Sequence, residues 1–274
     1  VFVVFDDLTK HAWAYREISL LLGRAPGRDS YPGDIFYLHS KMVERAALLK
    51  PEFGGGSMTH FPIVETLEGD LTGYVQSNLV SMTDGQIYLS TPLFGEGQKP
   101  AVDLGLSVSR VGSKVQWPAI KKLSGPLRLE YLQYREVLRV SKLKTSGSSE
   151  EAENQLKSGA ILTELLKQDR DQPLKSEAQV IILYAYTKRV LHEMNIEEIN
   201  AFQKGILGYF EKRAPDMLKN LRAKRALDDE MTKQMDTILA EYLKEIMAIR
   251  PREDAEAEES NVGVDTLNKA TTKK

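Results

Sequence analysis

The chain opens on Val1-Phe2-Val3-Val4-Phe5, an unbroken apolar run that stops on two carboxylates, Asp6 and Asp7. A strand apolar on both faces belongs inside a parallel sheet covered by helices. In such sheets ligands lie beyond the carboxyl ends of the strands, where Asp6 and Asp7 fall. A strand of this kind is how the second half of a nucleoside-triphosphate site begins. The usual first half is a glycine loop ending in Lys-Ser or Lys-Thr that cradles the phosphates. Gly54-Gly55-Gly56-Ser57 has the glycines but lacks the lysine, and no other stretch of the 274 residues supplies the loop. The expectation is the later portion of a nucleotide-binding protein.

Hydrophobic residues make up 42% of the chain, enough to bury one medium core and a second, smaller one, so two domains are expected. A formal net charge of −2 gives no chain-wide basic field, which argues against duplex binding through phosphate contacts. With no cysteine, disulfides, thiol catalysis and Cys-type zinc sites are excluded. The longest apolar stretches run to about eight residues, against the roughly 20 that a spanning helix needs. Any membrane association is therefore expected through partner chains. The lack of an initiator Met and of an Arg-rich leader is what a processed or separately encoded fragment would show.

Two styles of sequence meet near Val115. Residues 1–115 read as α/β. A helix is expected at about 8–22, with Ala12, Ile18, Leu21 and Leu22 apolar, and a second at about 35–50. Between them lie the turns Arg24-Ala25-Pro26-Gly27-Arg28 and Tyr31-Pro32-Gly33-Asp34. Phe61-Pro62-Ile63-Val64-Glu65, Leu79-Val80-Ser81-Met82 and Ile87-Tyr88-Leu89 read as short strands, with Thr83-Asp84-Gly85 as a tight connection. Alternating strands and helices imply a parallel sheet.

Residues 116–250 show only helical spacing, interrupted by the Ser/Gly/Glu stretch at 145–151, and are expected to form an all-α bundle. Ser176 followed by Gln179 reads as a capping box that starts a buried helix. Met231, Met235, Ile238, Leu239, Tyr242, Leu243 and Ile246 recur at spacings of three and four, the stripe of a helix packed on a core. Residues 251–274 are a polar, acidic tail, expected to be disordered alone and to lie against a partner.

Leu106-Ser107-Val108-Ser109-Arg110-Val111-Gly112-Ser113 and Phe5-Asp6-Asp7-Leu8-Thr9-Lys10-His11-Ala12 match one family in order and approximate spacing. The likeness continues through Pro26-Gly27-Arg28, Phe36-Tyr37-Leu38-His39-Ser40, Glu44-Arg45-Ala46-Ala47, Gln133-Tyr134-Arg135-Glu136-Val137 and Leu162-Thr163-Glu164-Leu165-Leu166-Lys167-Gln168. The chain resembles the alpha subunit of F-type ATP synthases over about residues 1–215. The resemblance implies a RecA-like P-loop NTPase core, incomplete because the phosphate loop is absent, followed by an all-α C-terminal bundle. Its domains would be the C-terminal part of a nucleotide-binding domain (1–115), a helical C-terminal domain (116–250) and the tail (251–274).

Alpha and beta subunits of that family alternate in a ring of six with nucleotides at their interfaces. The resemblance implies that Arg110 serves a catalytic site of a neighbouring beta subunit, with Ser81 close by. A guanidinium from a neighbour stabilises the charge of a phosphoryl-transfer transition state, and its planar fork can bond two oxygens at once where a lysine cannot. Taken alone, Arg110 would read as a surface ion pair. Asp6 and Glu65 are implied as the carboxylates near a magnesium ion, acting through coordinated water. Without the family they would merely end strands. Gln168 falls where the family contacts the adenine of a noncatalytic ATP or ADP. Arg170 stands two positions on, where many alpha subunits repeat the glutamine.

His11, His39, His60 and His192 show no metal-ligand spacing. Lys121-Lys122 and the lysines between 142 and 144 read as solvated helix faces. No Ser-His-Asp order, glycosidase carboxylate pair or dinucleotide fingerprint is present. A hexameric nucleic-acid translocase and a structural protein that lost the chemistry are the alternatives. The partners implied are beta subunits, the gamma central stalk, peripheral stalk subunits and an N-terminal portion of alpha on a separate chain, with no nucleic acid. The compartment expected is the matrix side of the mitochondrial inner membrane, with a bacterial plasma membrane or plastid thylakoid as alternatives.

Overall fold

The computed structural model describes residues 1–141 and 149–248. Two compact units make up the chain, Val1–Val115 and a second from Gln116 onward.

In the first unit, β1 (Phe2–Phe5) leads into α1 (Leu8–Leu21), α2 (Ile35–Val43), β2 (Ala47–Leu48) and β3 (Ser57–Pro62). β1 and β3 run parallel, Phe2 opposite Thr59 and Phe5 opposite Pro62, as the sequence pattern leads one to expect. β2 is antiparallel to β3, so the sheet is mixed, in the order β1-β3-β2. The departure has a local cause: Gly54, Gly55 and Gly56 take φ of +90°, +63° and +103°, a conformation that side-chain-bearing residues resist. These three glycines turn the chain back from β2 into β3. α2 correspondingly stops at Val43, short of residue 50, and the residues beyond it pair in β2.

The run Leu79–Met82 is helical, not a strand. It closes α3 (Tyr74–Met82), whose Val75 and Leu79, one turn apart, bury themselves beside Leu8, Ala12, Ile35 and Val43. An apolar run of four residues does not separate the two periods. Strand pairing begins just beyond, at β4 (Gly85–Gln86). The expected strand Ile87–Leu89 contributes only a bridge from Leu89 to Val102. α4 (Thr91–Gly95) follows, and β5 (Val108–Ser109) returns antiparallel to β4. β1 also departs from the two-sided burial expected of it. Val3 and Phe5 are half-buried, while Phe2 and Val4 remain 64% and 49% exposed.

The second unit is helical throughout its described residues: α5 (Pro118–Ser124), α6 (Leu127–Ser141), α7 (Glu150–Leu165), α8 (Ser176–Thr187), α9 (Ile196–Arg213), α10 (Pro215–Lys224) and α11 (Asp229–Ala248). α8 and α9 supply its centre through Val180, Ile181, Ala185, Phe202, Ile206 and Phe210, all buried. The α11 stripe packs as core, with Met231, Met235, Leu239, Tyr242, Leu243 and Ile246 buried and Ile238 half-buried. The capping box expected at Ser176 does not form. Ser176 is already helical, Lys175 is the cap residue, and the Gln179 amide donates to the Leu174 carbonyl at 3.0 Å. A reciprocal box instead opens α9, where the Glu198 N–H donates to Asn195 Oδ1 at 2.9 Å and the Asn195 N–H to Glu198 Oε2 at 2.8 Å.

Most of the 145–151 interruption, the basic cluster between 142 and 144, and the tail at 251–274 lie outside the described residues. Among the described residues no helix is long and apolar enough to cross a membrane.

Candidate nucleotide and interface residues

The sheet ladder continues past β1 and β3 through Ile63 N–H to Phe5 O at 2.9 Å and Leu8 N–H to Ile63 O at 2.9 Å. That continuation brings Asp6-Asp7 and Glu65 to the same end of the sheet. The two aspartates have different fates. Asp6 is exposed, whereas Asp7 is buried and caps α1, its Oδ1 accepting the Lys10 N–H at 2.8 Å. Burial pushes the Asp7 carboxyl up, and the hydrogen bonds from Lys10 outweigh it, holding the group below the usual carboxylate range.

Lys10 organises the cluster, a role the sequence reading missed. Its ammonium contacts the Asp7 carboxylate and lies 2.8 Å from Glu65 Oε1. Hydrogen bonds to those two carboxylates hold the ammonium above its ordinary pKa. The signal was available in the spacing, since Asp7 and Lys10 share a helix face at i and i+3. Glu65 is also pinned through its backbone: its N–H donates to Thr9 Oγ1 at 2.9 Å, and its carbonyl accepts from Gln76 Nε2 at 2.6 Å.

Asp6 and Glu65 offer hard oxygens of the kind magnesium takes, and Glu65 keeps one carboxylate oxygen outside the Lys10 contact. Among the described residues no group of three or more His, Asp or Glu converges to hold a metal. The pair therefore suits an ion carried chiefly by water and phosphate, not one caged by protein.

Arg110 follows β5. Its N–H donates to the Asp84 carbonyl at 2.7 Å, and its side chain reaches back to the end of α3. Nη1 donates to the Ser81 carbonyl and Nη2 to the Val80 carbonyl, each at 3.1 Å. Those carbonyls belong to the last turn of α3, where backbone acceptors lack helical partners and the helix dipole favours a cation. Close approach of β4 to β5 makes this possible: a Cβ on Gly85 would lie 2.2 Å from the Val108 carbonyl oxygen. Two of the five guanidinium N–H groups are thus engaged on α3, while the side chain as a whole stays exposed. Ser81 Oγ donates to the Asn78 carbonyl at 2.7 Å.

His11 and His39 form the closest histidine pair, Nδ1 of the first 3.1 Å from Nε2 of the second. His39 is buried in the core under α1, and burial, then the neighbouring His11, pushes it down to about 4. This is a packed core contact, with no third metal-ligating side chain converging on it among the described residues.

In the second unit Gln168 lies just past α7, exposed, with Nε2 donating to the Gln172 carbonyl at 3.0 Å. That bond turns the amide so that Oε1, an acceptor, is the free end. Arg170 is almost fully exposed, with Nε 3.9 Å from Asp171 Oδ2.

A parallel strand pair ending on carboxylates, followed by a separate helical unit, is the arrangement of part of a P-loop-type α/β core with an all-α C-terminal unit, a fold class that the family matches bear out. Residues 1–109 match the nucleotide-binding domain of the ATP synthase alpha/beta family, and residues 116–242 match the C terminal domain of the ATP synthase alpha/beta chain. The chain belongs to the ATP synthase alpha/beta family. It is 46% identical to the ATP synthase subunit alpha of Clostridium acetobutylicum over 248 residues, 90% of this chain and 49% of that protein. It is 44% identical to that of Lawsonia intracellularis over 250 residues, 91% of this chain and 49% of that protein. A Clostridium botulinum subunit alpha is 46% identical over 244 residues, 89% of this chain and 48% of that protein. The chain spans about half the length of these curated relatives. All three relatives are bacterial, and they lend the mitochondrial expectation no support.

Proposed function

We propose that the chain is the nucleotide-core and helical portion of an alpha subunit in a proton-translocating F-type ATP synthase, associated with a bacterial plasma membrane through partner chains. The observation that carries this reading is Arg110, oriented by two α3 carbonyls yet exposed with N–H groups to spare. Such a guanidinium can neutralise charge on the transferring phosphoryl group in a beta subunit's catalytic site, with Ser81 beside it on the same face. Magnesium, bound with ATP or ADP, would neutralise phosphate charge. Asp6 and Glu65 would orient its water ligands, Lys10 would hold Glu65, and Gln168 would contact the adenine of a noncatalytic nucleotide. Asp6, Glu65 and Gln168 thus act in binding and not in turnover.

Exposed apolar residues support the partners. Ile18, Leu21 and Leu22 at the end of α1 are 54%, 81% and 73% exposed, a patch suited to a protein contact such as the central stalk. Peripheral stalk subunits complete the assembly in this reading. Phe2, Val4 and Phe61 leave one face of the β1–β3 sheet bare, an apolar surface that further nucleotide-binding-domain structure would cover.

The test is Arg110→Ala in the assembled complex. Hydrolysis under multisite conditions should fall by about 10³ or more while assembly persists. Near-normal hydrolysis in an assembled Arg110→Ala complex would overturn the role of Arg110.

A further inference from the structure

We propose that Gln203 and Lys204, neighbours on α9, are positioning residues for the loop that carries Gln168, and so help set the base preference of the noncatalytic nucleotide. The inference rests on the proposed contact of Gln168 with adenine.

α7 ends at Leu165; the Leu162 and Glu164 carbonyls accept from the backbone N–H groups just beyond the helix, whereas the Leu165 carbonyl and that of Lys167 in the following loop are reached from another helix by Gln203. Its single Nε2 donates to the Leu165 and the Lys167 carbonyls, each at 3.2 Å, using both amide hydrogens. One residue further on, Lys204 Nζ lies 3.6 Å from Asp169 Oδ2. The two contacts bracket Gln168: its preceding carbonyl is held by Gln203 and its following side chain by Lys204. Among the described residues the Gln168 side chain is anchored by the Gln172 carbonyl, which fixes the amide orientation within the loop but not the loop against the bundle.

The chemical consequence is selectivity. With Nε2 of Gln168 occupied, the free Oε1 accepts a hydrogen bond from an exocyclic amino group, as on a 6-aminopurine, and repels the carbonyl of a 6-oxopurine. That discrimination requires Oε1 to be in one place. A half-buried glutamine that spans two carbonyls is well suited to hold it, because its donors are directional and its loss leaves two acceptors unmatched at once. The exposed Lys204–Asp169 pair adds a weaker tether.

The experiment uses the assembled complex and reads the ratio of ADP to GDP retained in its exchange-resistant sites after loading from an equimolar mixture. Gln203→Leu should lower that ratio about tenfold, the size of one lost hydrogen bond, as should Gln168→Ala. The double variant should be no worse than either single one, because both act on the same contact. If Gln168→Ala leaves the ratio unchanged, the adenine contact itself is wrong and the inference falls with it. If Gln168→Ala lowers the ratio and Gln203→Leu, assembled, keeps it, the adenine contact stands and the positioning role is overturned. Should Gln203→Leu not assemble, Lys204→Met decides: a two- to threefold fall, roughly one weak ion pair, supports the proposal and an unchanged ratio overturns it.

Discussion

Arg110 and Ser81, 29 residues apart in the chain, meet at 3.1 Å through a guanidinium Nη1 and a backbone carbonyl. The Ser81 side chain takes no part, because its hydroxyl is spent on the Asn78 carbonyl within α3. The end of a helix thus aims the arginine, and the Val80 carbonyl shares the task through Nη2.

Because the aim depends on two donors in a fixed fork, Arg110→Lys should not be conservative. A lysine keeps the charge but cannot bond both carbonyls from one planar group. Multisite hydrolysis by the assembled complex is expected to fall by at least about 10² in Arg110→Lys, most of the Ala effect. Activity within a few-fold of the parent would show that charge alone suffices.

The packing of α6 on α7 makes a second prediction. At Gly159 an added Cβ would lie 2.0 Å from Cγ of the Tyr134 ring, well inside any tolerable contact. Gly159→Ala should therefore lose about 1–3 kcal/mol of stability by overpacking. Despite the better helix propensity of alanine, the melting temperature should drop. Tyr134→Ala in the Gly159→Ala background should recover part of the loss, since the ring is what the methyl meets. A Gly159→Ala variant that is more stable than the parent would mean the helices separate freely.

Periodicity and end signals made much of this legible. The α11 stripe from Met231 to Ile246 reads correctly because four turns of regular spacing admit one period only. The common placement of Asp6, Asp7 and Glu65 was legible too, because parallel strands that stop on carboxylates bring them to one end of the sheet. What failed was short or tertiary. Leu79–Met82 has too few residues to distinguish a strand from the last turn of α3, and its neighbours in the first core decide the matter. Ser176 and Gln179 fit a cap pattern one residue too late, whereas Asn195-Ile196-Glu197-Glu198 carries the same pattern and uses it. Contacts such as Lys10 to Glu65 or Gln203 to Lys167 join residues 55 and 36 apart, beyond the reach of any local rule.

His39 should make the first unit sensitive to mild acid. Unfolded, its imidazole binds a proton near its ordinary value of 6.5; folded, burial and His11 defer protonation to about 4. Between those values the unfolded state holds more protons, so stability is full above about pH 6.5 and falls as the pH drops toward 4. The loss amounts to about 3 kcal/mol across the window. Unfolding midpoints measured at pH 7.5, 5.5 and 4.5 should fall in that order. His39→Gln should flatten the trend, and an unchanged trend in that variant would place the acid-sensitive group elsewhere.

Glu177 and Arg222 set an opposite test in the second unit. Glu177 lies in the first turn of α8, where the helix dipole favours a carboxylate, but its side chain is only 6% exposed. Burial pushes the carboxyl up, but the hydrogen bond and charge of Arg222, a backbone hydrogen bond within Glu177 and the charge of Lys175 together outweigh that push, so the folded carboxyl sits below its ordinary 4.5. The pair therefore stabilises the fold above about pH 4.5 and loses its effect as the pH falls below it. Arg222 is 59% exposed, which limits the pair's worth to about 1–2 kcal/mol, between surface and buried ion pairs. Removing the arginine inverts the balance. In Arg222→Leu burial, the largest influence on Glu177, is opposed only by its backbone hydrogen bond, the Lys175 charge and the dipole, and burial favours the neutral acid. The variant should lose about 1–2 kcal/mol at pH 7, and the gap to the parent should close as the pH falls toward 4. Glu177→Gln added to Arg222→Leu should restore part of the stability at pH 7 by removing the stranded charge. A gap between parent and Arg222→Leu that stays constant from pH 7 to pH 4 would show that the arginine acts through packing of its stem and not through the carboxylate.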